Sequence, residues 1–307
     1  MKERFKALGR GKKVLLVFGS LVLLAIVVNL VAPSEGKNEE FQPQNEFKLE
    51  NWVDLKFGPL DMSINKAVLY LLIACALTTA VMLYIAKRME DRPNRVQTAV
   101  AATYDLARNQ ITRGNMDDKM ALKWFPFIGT LFFFILISNL IGYIPLPTNT
   151  EHTVSVFGLD VPSFAIYAAT ANLSVPLVLT LMVWFAYHIE GIRTHGFRGY
   201  LKTWVPAGVT GPAAIPIFAI ESISHFVRII SLSVRLFANI LAGHLLILFM
   251  GGRLVVLLGL AALGVFTLPI AITFFMFEVV LIAGLQAFIF ATLTSIYLGS
   301  ATAAEGH

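Results

Sequence analysis

The sequence has few charged residues and a single cysteine. Charged residues make up 14% of its 307 positions, whereas a typical soluble domain carries about 25%. Hydrophobic residues make up 57%, and long apolar runs leave no stretch of about 100 residues free for a separate soluble domain. This composition excludes a soluble enzyme and predicts an all-α integral membrane protein. The lone cysteine, Cys75, excludes an internal disulfide framework.

Motifs for nucleotide, acyl and metal chemistry are also lacking. The chain has no GxxxxGK(S/T) and no GxSxG sequence, and Glu221 and His225 are not spaced as in a zinc-protease HExxH motif. The net charge of +5 comes from basic residues beside the ends of apolar segments, not from an aromatic-studded basic face. We therefore expect no enzymatic site in this chain, no cofactor, no metal and no nucleic-acid partner.

Four apolar segments are long enough to span a membrane, and the loops between them alternate between basic and non-basic. The predicted spans are Val14–Ala32, Ala67–Ala86, Trp124–Ile144 and Ser163–Tyr187. A signal peptide is the alternative for the first segment, whose length of about 19 residues favours a retained anchor. The positive-inside rule then places both termini in the cytoplasm and residues 33–65 and 145–162 outside.

The basic segment between the second and third spans contains a predicted amphipathic helix. After Pro93-Asn94, apolar residues recur at spacings of three and four and form a narrow stripe on an otherwise polar helix. The residues of this stripe are Val96, Val100, Tyr104, Ala107 and Ile111. We expect this helix to lie on the membrane surface.

The last hundred residues contain two apolar runs that are too long for ordinary spans. Pro212–Met250 and Leu254–Leu298 would form helices of roughly 58 and 68 Å at 1.5 Å per residue, while the hydrocarbon core is about 30 Å thick. The strongest turn signal between them is Gly251-Gly252-Arg253. We predict a hairpin of two long, strongly tilted helices, with Pro269 kinking the second.

Ionisable residues within these helices are costly and therefore informative. An arginine at the centre of a membrane helix costs about 2.5–3.5 kcal/mol on insertion scales, so it indicates an ion path, a proton relay or a paired structural charge. Spacings of three, four and seven place a set of polar residues on one face of the first long helix. This set is Glu221, Arg228, Ser231, Arg235 and Asn239. His244 lies nine residues beyond Arg235, about 180° around the helix.

This stretch closely resembles the signature of subunit a of F-type ATP synthases. The matching run is Ser231-Leu-Ser-Val-Arg235-Leu-Phe-Ala-Asn239-Ile-Leu-Ala-Gly243-His244, with a glutamate fourteen residues before the arginine. Asn139 in the third span and Leu285-Gln286-Ala287-Phe288 near the C-terminus also match. The resemblance implies that residues 66–307 form a subunit a-like membrane domain. Residues 1–65 would add a basic segment, an extra membrane anchor and an outer polar loop.

The resemblance also implies a function and a set of partners. The chain would be a non-catalytic, proton-translocating stator subunit in a bacterial plasma membrane. Its partners would be the c-ring, the b-type peripheral stalk subunits, the rest of the ATP synthase and membrane lipid. The alternative function is a self-contained ion channel or secondary transporter, against which the lack of a visible internal inverted repeat argues mildly.

Individual roles follow from the same resemblance. Arg235 would be the essential charge that faces the c-ring carboxylates, with Ser231, Arg228 and Asn139 in supporting positions. The outer half-channel would be lined by Asn239, His244, Glu278 and Gln286. The cytoplasmic half-channel would be lined by Glu221 and Ser224.

One departure from the family pattern concerns the second long helix. Glu278 precedes Gln286 by eight residues rather than the usual seven, and in a regular helix their side chains would lie roughly 80° apart. We predict that a single wide π-turn absorbs the extra residue and returns Glu278 to the side that faces His244, with Gly284 as the position of least resistance. In the alternative, the helix is regular and Val279 takes the relay position.

The predicted topology is tested by labelling single cysteines in a background in which Cys75 is replaced. Cysteines introduced at Asn38 and Thr150 should react with an impermeant reagent that is added from the outer face, because the positive-inside rule places both loops there. Labelling of these positions only from the cytoplasmic face would contradict the topology.

Overall fold

The computed structural model describes residues 63–88, 94–143, 168–206, 208–209, 211–248 and 264–303, with short stretches at 19–20, 22–24, 26–27, 51–53, 56–57, 60–61, 154–156 and 159–161. The predicted turn Gly251-Gly252-Arg253 lies outside these residues. Most of the predicted anchor Val14–Ala32 and of the loop at 145–162 also lies outside them. The described residues of the anchor are helical and exposed.

The described chain is built mainly from helices. They are α1 (Lys66–Arg88), α2 (Arg95–Asp105), α3 (Asp118–Ile141), α4 (Ser174–Lys202), α5 (Ala214–Leu248), α6 (Gly264–Phe277) and α7 (Ala283–Thr302), with a π-helical segment, Glu278–Ile282, between α6 and α7. Five stretches are long and apolar enough to cross a membrane: α1, α3, α4, α5 and the continuous helix from α6 through α7. The prediction of an all-α integral membrane protein is confirmed.

Three short antiparallel ribbons lie outside the helices and had no counterpart in the sequence prediction. β1 (Asn51–Val53) pairs with β4 (Ile64–Asn65), β2 (Lys56–Phe57) with β3 (Leu60–Asp61), and β5 (Val154–Val156) with β6 (Leu159–Val161). Each strand has only two or three residues. They leave the helical class of the fold unchanged.

The predicted bounds of the third and fourth spans need correction. The third helix begins at Asp118, six residues before the apolar run, because an acidic residue is favourable in the first turn of a helix. The fourth begins at Ser174, where the side chain of Asn172 accepts a hydrogen bond from the Ser174 amide at 3.0 Å, and not at Ser163. It continues past Tyr187 to Lys202, with a break at Gly196, whose φ of 70° favours glycine.

The two long C-terminal helices agree with the prediction where they are described. α5 is continuous over 35 residues. Pro269 lies inside α6, and the hydroxyl of Thr273 donates a hydrogen bond to the Pro269 carbonyl at 2.9 Å. Their tilt in the bilayer, and a kink at Pro269, stay predictions.

The predicted amphipathic helix is only partly a surface element. α2 is followed by a π-helical segment, Leu106–Thr112. Ala107 and Ile111 of the predicted stripe are fully buried, whereas Val96 is 64% exposed. The hydroxyl of Ser295 in α7 donates to the Thr112 carbonyl at 3.3 Å. The C-terminal half of the stripe therefore packs on the helix bundle, and a location of the rest on the membrane surface stays a prediction.

The chain divides into two compact units. One comprises Met1–Lys48 and Ala242–Val280, and the other Leu49–Leu241 and Leu281–His307. In the larger unit α7 packs against α3 and α4, and α1 packs against α3. Its interior includes the fully buried side chains of Ile135, Tyr187 and Phe290. The division into residues 1–65 and 66–307 stays a prediction.

Candidate functional site

Arg235 lies on an exposed apolar face of α5. The adjacent Val234 is 42% exposed, and Arg235 is itself exposed, as is Ala238 one turn further along the helix. The flanking Leu232 and Leu236 are buried. Within the part of the chain that the structure describes, Arg235 has no hydrogen bond or ion pair. The helix thus presents a permanent positive charge outward among apolar side chains.

The polar stripe that the sequence predicts on this helix does not face a single surface. Ser231 is exposed like Arg235, whereas Asn239 is half-buried, as is Ser224 outside the stripe. Glu221 and Arg228 are also half-buried, and they form an ion pair with each other. The stripe therefore divides into an outward part around Arg235 and a part near Glu221 that contacts other helices.

The carboxylate of Glu221 is the centre of a network in the larger unit. Its Oε1 accepts a hydrogen bond from Nη2 of Arg228 at 3.0 Å, and the same oxygen lies 3.8 Å from Nε2 of His225. The other ring nitrogen of His225, Nδ1, is 3.0 Å from the hydroxyl of Tyr187 in α4. A continuous series of polar contacts thus runs from Arg228 to Tyr187.

Aromatic rings surround His225 and Arg228. The guanidinium of Arg228 lies 4.9 Å from the ring centre of Tyr297, a cation–π contact. The imidazole of His225 lies 4.4 Å from the Trp204 ring and 5.0 Å from that of His188. His225 is only 6% exposed. The network is therefore packed within the bundle on most sides.

The π-helical segment confirms the predicted widening between Glu278 and Gln286. It covers Glu278–Ile282. The wide turn therefore lies before Gly284, the residue at which the backbone was predicted to widen most easily. The π-helix contradicts the alternative of a regular helix, and Glu278, which is 6% exposed, is not turned toward lipid. Its carboxylate packs against Gly243 of α5, where an added Cβ would overlap it. Glu278 thus lies beside the residue that precedes the half-buried His244.

Asn139 and Gln286 are both buried in the larger unit. The side chain of Asn139 connects two other segments: its Oδ1 accepts a hydrogen bond from Thr170 at 2.8 Å, and its Nδ2 donates to the carbonyl of Ala283 at 3.3 Å. Ala283 is the first residue after the π-helical segment. Asn139 is therefore a structural support for the start of α7.

Sequence reasoning missed the residues that other helices contribute. Tyr187, His188 and Trp204 meet His225 only in the folded chain. The same holds for the ion pair between Lys123 of α3 and Glu190 of α4, whose carboxylate is buried. A polar or aromatic residue near the end of an apolar segment is a weak signal, because most such residues only anchor the helix at the interface.

Comparison with known proteins identifies the family of this chain. The family described as "ATP synthase A chain" matches residues 68–299. The chain belongs to this family.

Curated relatives of the chain carry the name "ATP synthase subunit a". The relative from Hyphomonas neptunium is 32% identical over 272 residues, which cover 86% of this chain and 97% of the relative. The relative from Rubrobacter xylanophilus is 35% identical over 259 residues, which cover 83% of this chain and 91% of the relative. The relative from Brucella ovis is 31% identical over 265 residues. All candidate site residues of this chain, from Asn139 to Gln286, lie within the range that the ATP synthase A chain family matches.

The close packing of Gly243 against Glu278 generates a prediction. Gly243→Ala should displace the carboxylate and reduce proton-driven ATP synthesis severalfold, because the methyl group and the carboxylate would occupy the same space. Synthesis is measured in membrane vesicles, together with the amount of assembled complex.

Gly284→Ala is the matched control, since an added Cβ there has no neighbour within 4 Å. It should behave like the wild type. Normal synthesis in Gly243→Ala, or an equal loss in both variants, would contradict the observed packing.

Proposed function

We propose that this chain is the proton-translocating stator subunit a of a bacterial F-type ATP synthase. In this role it forms two offset half-channels against the rotating c-ring and couples ion flow to rotation. ATP is made or hydrolysed by other subunits, and this chain is non-catalytic. The family match and the bacterial relatives support the coarse assignment, and the exposed Arg235 supports the mechanism.

The single observation that carries the mechanism is the position of Arg235. A guanidinium among lipid-facing apolar side chains is costly, so a compensating partner is expected. The described part of the chain provides no ion-pair partner for it. A carboxylate on a neighbouring subunit would supply the missing charge. Exposed Ala238, one turn further along α5, is small enough to let another helix approach closely.

The chemistry of the guanidinium fits this task. It stays protonated at physiological pH, so a carboxylate that passes it is favoured in its deprotonated form. The same fixed positive charge repels protons and interrupts any continuous proton wire along the interface. A proton must then enter through one half-channel, travel on the ring and leave through the other.

The two half-channels are assigned as follows. Glu221 and Ser224 belong to the cytoplasmic one, where the Glu221 carboxylate can exchange protons with the solvent. His244 and Glu278 belong to the outer one, where an imidazole and a carboxylate share the relay. The assignment of Asn239 and Gln286 to the outer half-channel rests on the resemblance to the family.

Replacement of Arg235 tests the proposal. Arg235→Ala should abolish proton-driven ATP synthesis while the complex still assembles, because the side chain makes no hydrogen bond or ion pair within the described residues. Arg235→Lys should also fail, since a compact ammonium lacks the planar fork of donors and loses its proton more readily when desolvated.

Arg193→Ala is the matched control, because Arg193 is an exposed arginine of α4 that has no role in the proposal. It should leave synthesis unchanged. Near-normal synthesis in Arg235→Ala would refute the proposed mechanism. Purification should also yield the chain together with the c-ring and the soluble ATPase head, and purification as an isolated transporter would contradict the assignment.

A further inference from the structure

The network around Glu221 contains an imidazole that the proposed function does not use. His225 is buried, it lies one turn after Glu221 on α5, and it points Nε2 toward the carboxylate at 3.8 Å. Burial of an imidazole away from water requires polar partners at both ring nitrogens. Tyr187 and Glu221 occupy these two directions.

The two partners define which nitrogen carries the proton in the neutral ring. A carboxylate only accepts hydrogen bonds, so the nitrogen that faces it is favoured as the N–H donor. Nδ1 then has a lone pair and accepts a hydrogen bond from the Tyr187 hydroxyl at 3.0 Å. The hydroxyl of Tyr187, whose side chain is 1% exposed, therefore fixes both the tautomer and the orientation of His225.

We propose that His225, oriented by Tyr187, is a positioning residue for Glu221 in the cytoplasmic half-channel. It directs the Nε2–H dipole at the carboxylate that exchanges protons, to which Arg228 also donates a hydrogen bond. This proposal rests on the proposed function, because it assigns a role to His225 only through the proton path at Glu221.

Several titratable or charged groups face His225, and each contributes to its field. Those in contact with it are Glu221 on α5 and Tyr187 and His188 on α4. Arg228, Tyr200 and Tyr297 lie one contact further away, at Glu221, at His188 and at Arg228 respectively. The Glu221 carboxylate lies 3.8 Å from Nε2, and the Tyr187 hydroxyl is hydrogen-bonded to Nδ1 at 3.0 Å. The variants below therefore change one contact at a time.

The test measures passive proton flux through the membrane sector of the full complex in vesicles, as a function of pH on the cytoplasmic side. His225→Phe keeps a flat ring against Trp204 and removes both nitrogens. It should move the half-maximal pH of the flux upward by about half a unit or more, because a carboxylate that loses a favourable dipole gives up its proton less readily. Tyr187→Phe should move it in the same direction by a smaller amount.

Two further variants separate positioning from packing. His225→Gln retains an N–H donor on a side chain of similar reach, so it should restore most of the wild-type profile. In the background of Glu221→Gln, His225→Phe should cause no further shift, since its effect acts through the carboxylate. His195→Phe, an imidazole of α4 outside these contacts, is the matched control and should leave the profile unchanged.

The outcomes decide the inference separately from the proposed function. Wild-type profiles for both His225→Phe and Tyr187→Phe would overturn it, as would an undiminished shift in the Glu221→Gln background. If His225→Phe fails to assemble, Tyr187→Phe and His225→Gln still test it. The proposed function itself is tested by Arg235→Ala and by purification with the c-ring, and these results do not depend on His225.

Discussion

The structure is organised by the cost of placing charge within an apolar helix. The carboxylates that α5 and α4 direct toward the bundle each have a partner of opposite charge. Glu221 pairs with Arg228, and Glu190 with Lys123. Arg235 differs, since it is exposed on an apolar face without such a partner in the described chain. Because a charge in an apolar environment is costly, we expect the partner of Arg235 to lie on a second subunit.

The inward pairs also stabilise the positions of the helices that carry them. Removal of one member of a buried pair leaves a charge without compensation, which is more costly than the pair is favourable. Arg228 holds Glu221 and stacks on Tyr297 of α7, and Asn139 ties the start of α7 to Thr170. These contacts fix α5 and α7 within the larger unit. Arg235 therefore projects from a helix whose orientation is already determined.

Periodicity and spacing predicted much of the fold and site. A continuous apolar run predicted the long helix α5. The eight-residue spacing of Glu278 and Gln286 predicted the wide turn that the structure contains. Local hydropathy did not predict the helix ends. The α4 helix begins after Asn172, eleven residues later than the start of its apolar run, and Gly196 interrupts the helix. The partners of His225 were not predictable, because they depend on which helices pack together.

The most direct test of the central claim is cross-linking of α5 to the c-ring. Ser231 and Ser233 are serines on the same helix turn, but Ser231 is exposed beside Arg235 whereas Ser233 is buried and hydrogen-bonded to the Ile229 carbonyl. Each is replaced by cysteine, without Cys75, in a complex whose ring carries a cysteine next to its carboxylate. The account predicts disulfide formation from Ser231→Cys and none from Ser233→Cys. Equal cross-linking of both, or none from Ser231→Cys in an assembled complex, would contradict it.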